Sequence, residues 1–382
     1  MQYRKFGKTG VDVSILGFGA MRLPTMEKNP KQIDEEQAEE MIRYALQKGI
    51  NYIDTAYPYH GGESEKFLGK ILCGKDREKI QLATKLPTWL IKEESDLDKY
   101  FNEQLERLQT DHFDFYLLHA LSSNLWRKMK DLKVLDWCEK LKADGKIKFL
   151  GFSFHDTYPV FKKIIDFFPN WDFCQIQYNY MDTNFQAGRR GLKYSTKKGI
   201  PIIAMEPLRG GQLSKIPPPE IEKVWAKFPI KRSFTKAALL WLWNQSNVPL
   251  ILSGMSNLQQ VKENIEITGK AKVGIFSEKE LEIFKKVRRE YLKRNPIKCT
   301  SCKYCEPCPS GVAISDILEI YTMREMYDDP ERATMFYKFF VKDENRADKC
   351  NDCGECESKC PQKIEINKWL KVAHKEFSEK EN

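Results

Sequence analysis

Eight short runs of β-branched and apolar residues alternate with amphipathic helical stretches along the first three quarters of the chain. The runs cover residues 13–19, 50–56, 79–85, 113–119, 147–153, 173–179, 200–206 and 249–255. This alternation is typical of a parallel sheet with crossover helices. Eight units favour a (β/α)8 TIM barrel over an open doubly wound sheet, which usually has fewer strands. No G-x-G-x-x-G motif follows the first run, which also argues against a Rossmann fold.

Eight of the eleven cysteines lie near the C-terminus, in two closely spaced runs that each end before a proline. The first run is Cys299, Cys302, Cys305 and Cys308, and the second is Cys350, Cys353, Cys356 and Cys360. The second run has the bacterial ferredoxin spacing, in which the fourth cysteine binds the other of two clusters. We therefore predict two [4Fe–4S] clusters with crossed ligands. Cys299, Cys302, Cys305 and Cys360 would bind one cluster, and Cys350, Cys353, Cys356 and Cys308 would bind the other.

Other uses of these cysteines explain less of the pattern. The first run has two residues rather than three before its last cysteine, so the crossed assignment depends mainly on the second run. Zinc can be bound by two C-x-x-C pairs, but it would leave four cysteines and both Cys-Pro endings unexplained. Disulfides are disfavoured because the first ten residues do not resemble a secretion signal, and thiols in the cytoplasm stay reduced. We therefore expect a cytoplasmic protein, with Cys73, Cys138 and Cys174 as packing residues.

The chain is long enough for an enzyme domain and a second, smaller domain. A charged helix ends at Arg294 before Asn295 and Pro296. This is the expected boundary between a barrel at residues 1–294 and a small α-helical, two-cluster ferredoxin-like domain at residues 295–382. The net charge of +9 comes from cations interspersed with acids, so no nucleic-acid partner is expected. No uncharged apolar stretch reaches the length of a membrane span, which predicts a soluble protein.

Polar residues stand at the ends of the second, third and fourth predicted strands. They are Asp54, Lys85 and His119, and Tyr59 follows Asp54 by five residues. In a TIM barrel the C-terminal ends of the strands form one rim, where the active site lies. Each residue alone has an ordinary structural explanation, but the set at three successive strand ends predicts one functional pocket.

Several segments resemble those of the aldo-keto reductase superfamily, in the same order. They are NYIDTAYPYHGGESEKFLG, LATKL, FDFYLLHAL, GFSFHD, QIQYN, MEPLRGGQL and SGMSNLQQVKENI. The resemblance covers nearly all of residues 1–290, and the cysteine-rich tail resembles the iron–sulfur branch of that superfamily. It implies an oxidoreductase that transfers hydride between a nicotinamide cofactor and a carbonyl group of an aldehyde, ketone or quinone.

The resemblance also implies catalytic roles for the rim residues. Tyr59 would donate a proton to the alkoxide that hydride transfer creates. Lys85 would ease the ionisation of Tyr59, and Asp54 would hold Lys85 in place. His119 would donate a hydrogen bond to the carbonyl oxygen or relay the proton. Tyr57 is a neighbouring candidate for the acid, although the offset from Asp54 favours Tyr59.

Dinucleotide contacts are implied for the later strands. They comprise Ser153 with Phe154 or His155, Gln175, the loop Pro207, Leu208, Arg209, Gly210 and Gly211, and the segment from Gly254 to Asn264 with Asn257 and Glu263. Many relatives have an aromatic ring where this chain has Met205, and residues 254–260 contain no cation for a 2′-phosphate. NADP(H) and NAD(H) therefore both stay open as cofactors.

The electron count leaves alternatives open. A nicotinamide transfers two electrons as hydride, whereas a cluster transfers one, and coupling them normally requires a flavin. The clusters could be structural, they could serve a separate electron path, or the barrel could bind a flavin. One alternative is thus a reductase that receives electrons from ferredoxin or another redox protein through a barrel-bound flavin. Another is a non-catalytic redox-sensing or regulatory subunit, which the four rim residues argue against.

Overall fold

The computed structural model describes residues 1–26, 29, 31–72, 74–299, 305–360 and 362–378. The chain divides into two units, Met1–Lys215 with Arg232–Ser277, and Ile216–Lys231 with Glu278–Asn382. The longer segment of the second unit begins at the charged helix rather than after it, since Glu278 is the first residue of that helix. The domain boundary expected at Arg294 therefore stays a prediction. Each unit is described by itself below.

Eight parallel strands form a closed barrel in the first unit, which confirms the predicted TIM barrel. The described residues contain ten strands, of which the first two lie outside the barrel: β1 (Tyr3–Lys5), β2 (Asp12–Ser14), β3 (Leu16–Gly19), β4 (Tyr52–Asp54), β5 (Gln81–Leu86), β6 (Phe113–Leu121), β7 (Ile147–Phe154), β8 (Phe173–Gln177), β9 (Ile202–Met205) and β10 (Leu250–Gly254). Strands β3 to β10 pair with their neighbours in chain order, and β10 closes the barrel against β3. The first predicted run is divided between β2 and β3, because β2 pairs antiparallel with β1 outside the barrel.

The helices follow the strands as the sequence predicts. They are α1 (Glu35–Gln47), α2 (Glu63–Ile71), α3 (Lys75–Glu78), α4 (Ser95–Leu108), α5 (Ser123–Asp131), α6 (Val134–Ala143), α7 (Tyr158–Phe167), α8 (Gly188–Lys197), α9 (Pro219–Trp225), α10 (Phe234–Trp243), α11 (Leu258–Thr268), α12 (Glu278–Lys293), α13 (Ile314–Tyr327), α14 (Pro330–Phe340), α15 (Glu355–Lys359) and α16 (Ile366–Ser378). Helix α1 shows how the local sequence specifies a helix, because Asp34 caps its N-terminus and its buried face includes Met41 and Ile42. Every helix in the described part of the chain falls short of a membrane span, in length or in apolar character.

The hairpin of β1 and β2 contributes to the core at the N-terminal end of the barrel. Phe6 and Val13 from this hairpin are buried together with Tyr52, Phe115 and Phe173. The ring centroids of Phe6 and Phe115 are 5.4 Å apart in an edge-to-face contact, the geometry that aromatic pairs prefer. This end of the barrel is therefore filled by apolar side chains.

The second unit contains α9 and α12 to α16, and its helical character agrees with the prediction for the tail. Its core is formed by α13, α14 and α16, with buried Ile317, Leu318 and Leu370. The rings of Tyr337 and Phe377 stack there with their centroids 4.5 Å apart. A core of this size is small for a domain that folds alone.

Candidate active site

Lys85 is at the centre of a buried polar cluster at the C-terminal rim of the barrel. Its Nζ donates to Oδ1 of Asp54 at 2.6 Å and to the carbonyl oxygen of Thr55 at 2.7 Å. The side chains of Lys85 and Asp54 are 0% and 1% exposed, so each charge needs the other. Burial alone would lower the pKa of Lys85, but the charges and hydrogen bonds of Asp54 and Tyr59 together outweigh burial and raise this pKa. Lys85 is therefore a cation at neutral pH.

Tyr59 also lies close to this cation. The Nζ of Lys85 is 3.4 Å from Oη of Tyr59 and 4.9 Å from the centroid of its ring. Burial raises the pKa of Tyr59, and Lys85 acts in the opposite direction without overcoming burial. Lys85 thus eases ionisation as expected, although the net shift is upward. Tyr59 is a protonated phenol at neutral pH, next to a cation that would stabilise its phenolate.

His119 completes the predicted set. Its ring centroid is 6.1 Å from that of Tyr59 and 5.0 Å from that of Trp89. Burial, with contributions from Lys85 and His155, lowers the pKa of His119 well below its ordinary value, so its imidazole is neutral. Nδ1 of His119 is buried and has no hydrogen-bond partner among the described residues. The structure therefore brings all four predicted rim residues into one pocket.

A buried network behind Lys85 was not predicted. Nε2 of Gln104, on α4, donates to the carbonyl oxygen of Lys85 at 3.1 Å and to Oε1 of Glu65 at 2.6 Å. Thr84 also donates to Oε1 of Glu65, at 2.7 Å, and Arg107 lies 3.3 Å from the other carboxylate oxygen. The side chains of successive strand residues point to opposite faces, so Thr84 contacts the helices while Lys85 faces the pocket. This network fixes the main chain from which the lysine extends.

Ser153 and Gln175 are neighbours across strands β7 and β8. Oγ of Ser153 accepts from the backbone N–H of Ala120 at 2.7 Å, and Nε2 of Gln175 is 3.5 Å from Sδ of Met205. Oε1 of Gln175 is buried and has no hydrogen-bond partner among the described residues. A buried carbonyl oxygen without a donor fits a ligand that carries a primary amide, such as a nicotinamide.

The loop at residues 207–211 is held by the loop that precedes it. Nδ2 of Asn179 donates to Oδ2 of Asp182 at 2.8 Å and to the carbonyl oxygen of Glu206 at 3.0 Å. Nε of Arg209 lies 3.5 Å from the same carboxylate oxygen of Asp182. Glu206 and Arg209 have left-handed φ angles of 53° and 49°. Such angles persist in non-glycine residues where the surroundings fix them, often at functional sites.

Three of the residues predicted near the far end of the cofactor already have intramolecular hydrogen bonds. Asn257 caps the N-terminus of α11. Asn264 is buried and donates from Nδ2 to Oγ of Ser253 at 3.1 Å. Glu263 is on the outer side of the same helix and accepts from Oγ of Ser233 at 3.3 Å. Their contacts with a cofactor stay predictions.

Arg22 is a rim residue that sequence reasoning missed. It lies in the turn after β3 and packs against Gly254, where a Cβ atom would be 3.1 Å from Cδ of Arg22. Its Nη2 is 3.4 Å from Oε1 of Glu206, which extends from the end of β9. A guanidinium thus stands beside the segment 254–260, which has no cation of its own.

The thiols of the second unit lie around one core. Those buried in it or packed against it are Cys299, Cys305, Cys308, Cys350, Cys356 and Cys360. Cys353 is more exposed, and Cys302 and Cys73 lie outside the described residues. Cys138 and Cys174, which belong to neither run, are buried in the first unit. Cys308, Cys350, Cys353, Cys356 and Cys360 are free thiols, as a cluster site requires.

Two thiols of the second run contact the same side chain, Asn367. Oδ1 of Asn367 is 3.5 Å from Sγ of Cys356 and 3.9 Å from Sγ of Cys350. Burial raises the pKa of the Cys356 thiol to about 11, and the nearby Cys350 and Cys353 act in the same direction. Among the described residues, no three His, Cys, Asp or Glu side chains converge closely enough to bind a single metal ion. A [4Fe–4S] cluster distributes its thiolates over four irons, so this set of soft donors fits a cluster.

Comparison with known proteins identifies two family matches along the chain. Residues 15–288 match the aldo/keto reductase family model, and residues 298–365 match that of a 4Fe-4S dicluster domain. The chain is similar to L-galactose dehydrogenase of Arabidopsis thaliana, with 30% identity over 286 residues, covering 69% of this chain and 87% of that protein. Uncharacterized oxidoreductase YqkF of Bacillus subtilis is 27% identical over 298 residues, covering 70% of this chain and 90% of that protein.

A solved structure has the same barrel. The holo form of aldo-keto reductase AKR11C1 from Bacillus halodurans is similar with a TM-score of 0.63 and 26% identity, covering 75% of this chain and 96% of that chain. The closed barrel and the family match agree with each other over the same residues. This chain therefore belongs to the aldo/keto reductase family and is an oxidoreductase with a C-terminal 4Fe-4S domain.

Proposed function

We propose that this enzyme reduces the carbonyl group of an aldehyde, ketone or quinone with hydride from NADPH or NADH. The observation that carries the proposal is the contact of Lys85 with Tyr59, with Asp54 buried behind the lysine. A phenol that remains protonated beside a cation is suited to give up its proton to a developing alkoxide. The neutral imidazole of His119 supplies a second hydrogen-bonding group at the same place.

A nicotinamide bound beside Ser153 and Gln175 would supply the hydride that forms the new C–H bond of the product. As the carbonyl oxygen becomes an alkoxide, Tyr59 donates its phenolic proton to that oxygen, and the alcohol O–H forms. The negative charge moves to the oxygen of Tyr59, where Lys85 stabilises it at a distance of 3.4 Å. His119 donates a hydrogen bond to the carbonyl oxygen of the substrate and so orients the carbonyl group.

The proposed nicotinamide contacts are Ser153 and Gln175. The unpartnered Oε1 of Gln175 would accept from the carboxamide NH2 group, which removes the penalty of a buried acceptor without a donor. The loop 207–211 would bind the pyrophosphate through backbone N–H groups and Arg209. The holo form of the relative from Bacillus halodurans supports cofactor binding by barrels of this kind.

We further propose that residues 295–382 bind two [4Fe–4S] clusters with the crossed ligands given above. Cysteines packed around one core and the dicluster family match support this. Thiols are kept reduced in the cytoplasm, so we propose a cytoplasmic location. One-electron carriers also support a second candidate function, in which a ferredoxin delivers electrons through the clusters to a flavin in the barrel.

The test uses anaerobically purified full-length protein. Oxidation of NADPH and NADH is followed with a panel of aldehydes, ketones and quinones, for the wild type and for Tyr59→Phe. We expect the substitution to lower kcat/KM by roughly 10²- to 10⁴-fold, the usual contribution of a general acid. Tyr57→Phe is the matched control, because Tyr57 donates to Glu103 at 2.7 Å rather than contacting Lys85.

Two results would contradict the proposal. Turnover unchanged in Tyr59→Phe removes the proposed acid. A flavin spectrum in the purified protein, without turnover of either nicotinamide, favours the ferredoxin-linked function instead.

A further inference from the structure

Helix α16 presents a side-chain amide to two thiols of the second cysteine run. Asn367 is at the start of this helix, with Oδ1 3.5 Å from Sγ of Cys356 and 3.9 Å from Sγ of Cys350. We propose that Asn367 raises the reduction potential of the cluster that Cys350 and Cys356 bind, by donating hydrogen bonds to their thiolates. This inference rests on the proposed binding of clusters by these cysteines.

The direction of the hydrogen bonds depends on whether iron is bound. A protonated thiol donates to the amide oxygen, whereas a thiolate bound to iron has no proton and can only accept. A half-turn of the amide about its Cβ–Cγ bond exchanges Oδ1 for the NH2 group at the same position. Asn367 then donates to both sulfurs, which a carboxylate or an aliphatic side chain cannot do.

Asn367 is held in this position from two sides. Its backbone N–H donates to Oε1 of Glu357 at 2.9 Å, and Glu357 belongs to the short helix α15, which contains Cys356 and ends just before Cys360. The neighbouring Ile366 is buried in the core of the second unit. The amide therefore remains beside the sulfurs, because the backbone that carries it is anchored to the ligand segment.

Two charged side chains near Cys350, Asp352 and Lys371, have opposite charges that cancel. Oδ1 of Asp352 is 3.9 Å from Sγ of Cys350, and Oδ2 of Asp352 is 2.7 Å from Nζ of Lys371. Lys371 is one helical turn from Asn367, so both side chains lie on the same face of α16. Asp352 and Lys371 form an ion pair with no net charge, which leaves Asn367 as the neutral donor.

Hydrogen bonds to cluster sulfurs stabilise the reduced cluster, because it has the more negative charge. Their loss should therefore make reduction less favourable. The effect should be confined to one cluster of the two, since the contacts are with Cys350 and Cys356. Cys299, Cys305 and Cys360 belong to the other proposed ligand set.

The experiment is a potentiometric titration of anaerobically purified full-length protein, monitored by electron paramagnetic resonance. Asn367→Leu removes the donor at similar volume, and Asn367→Asp also adds a negative charge. We expect one of the two midpoint potentials to shift downward in Asn367→Leu and further downward in Asn367→Asp, with the other unchanged. Lys368→Ala is the control, because Lys368 is on the same helix but pairs with Glu365 at 3.0 Å on the surface.

The outcome separates this inference from the proposal on which it rests. Protein that contains no iron or acid-labile sulfide contradicts the binding of clusters itself. If two clusters are present and the Asn367 substitutions shift neither midpoint potential, or shift both by the same amount, only the role of Asn367 is overturned. If Asn367→Leu does not retain iron, Asn367→Ser keeps a single donor and should give a smaller shift in the same direction. An unshifted potential in Asn367→Ser likewise overturns the inference.

Discussion

The ammonium of Lys85 and the carboxylate of Asp54 are 2.6 Å apart, and neither side chain exposes more than 1% of its surface. Two charges removed from water in this way contribute little to stability, because the cost of desolvation offsets their attraction. The pair is better explained by what it provides to Tyr59, which is a cation held within 3.4 Å of its hydroxyl. Stability and activity should therefore respond differently when the pair is changed.

Removing both members of the pair should restore stability without restoring activity. Lys85→Met leaves Asp54 buried without its partner and should destabilise the fold by about 3–5 kcal/mol. Asp54→Asn combined with Lys85→Met should recover most of that loss in urea unfolding, while turnover stays as low as in the single variant. If the losses in unfolding free energy of the two single variants add in the double variant, the two residues are not coupled.

The pH profile of carbonyl reduction should decline only on the alkaline side. Tyr59 must be protonated to donate, and its pKa is raised, so activity should be lost as the pH rises through a value above the ordinary phenol pKa of about 10. His119 is already neutral, so no inflection is expected near its ordinary pKa of about 6.5. The measurement is kcat/KM against pH, with circular dichroism at each pH to exclude unfolding. An alkaline inflection well below 10 would refute the assignment of Tyr59.

His119 should act as a neutral hydrogen-bond donor rather than as an acid. His119→Leu removes the donor and should lower kcat by roughly 10²- to 10³-fold, as for other donors to a developing oxyanion. His119→Gln retains an N–H group and should recover much of that loss in steady-state turnover. The two variants losing activity equally would argue that the ring is needed for another reason, such as its contact with Trp89.

The network behind Lys85 should influence catalysis without contacting the substrate. Gln104→Leu removes the donor to the carbonyl oxygen of Lys85 and leaves buried acceptors unpaired, which should cost about 1–3 kcal/mol of stability. We expect kcat to fall while KM changes little, because the lysine is displaced and the substrate contacts remain. Gln47→Leu, at an exposed position in α1, is the control. Unchanged kcat in a folded Gln104→Leu enzyme would limit this network to a structural role.

The two cysteine runs should divide the bound iron between them. Cys356→Ser removes one ligand of one proposed cluster, so about half of the iron and acid-labile sulfide should be lost on anaerobic purification. Cys138→Ala, at a buried position in the first unit, should leave the iron content unchanged. Iron lost completely from Cys356→Ser would indicate that the clusters do not assemble independently.

The sequence predicted the barrel because each strand and helix has its own periodic signal. It predicted Asp54, Lys85 and His119 because polar side chains at the ends of apolar strands are unusual. Tyr59 was predicted from its offset after Asp54, which matches the family that the sequence resembles. It did not predict the contact of Glu65 with Gln104, because these residues are far apart in the chain and meet only in the folded protein. A signal was present: Gln104 interrupts the buried face of α4, between Phe101 and Leu108. A polar residue in such a position indicates a buried hydrogen-bond network.

The rim loops were harder to predict. Arg22 reaches Gly254 and Glu206 from a turn near the N-terminus, and no local pattern marks that contact. The left-handed angles of Glu206 and Arg209 depend on hydrogen bonds and charges from the preceding loop. Local propensity does not determine such features, because the tertiary contacts override it.

The aromatic packing of Phe6 with Phe115 at the N-terminal end of the barrel also bears on how the enzyme can evolve. This packing lies at the end of the barrel remote from the active site, so substitutions in the rim loops leave it intact and should seldom unfold the protein. Substitutions in those loops can therefore change the substrate specificity during evolution while the barrel itself is conserved.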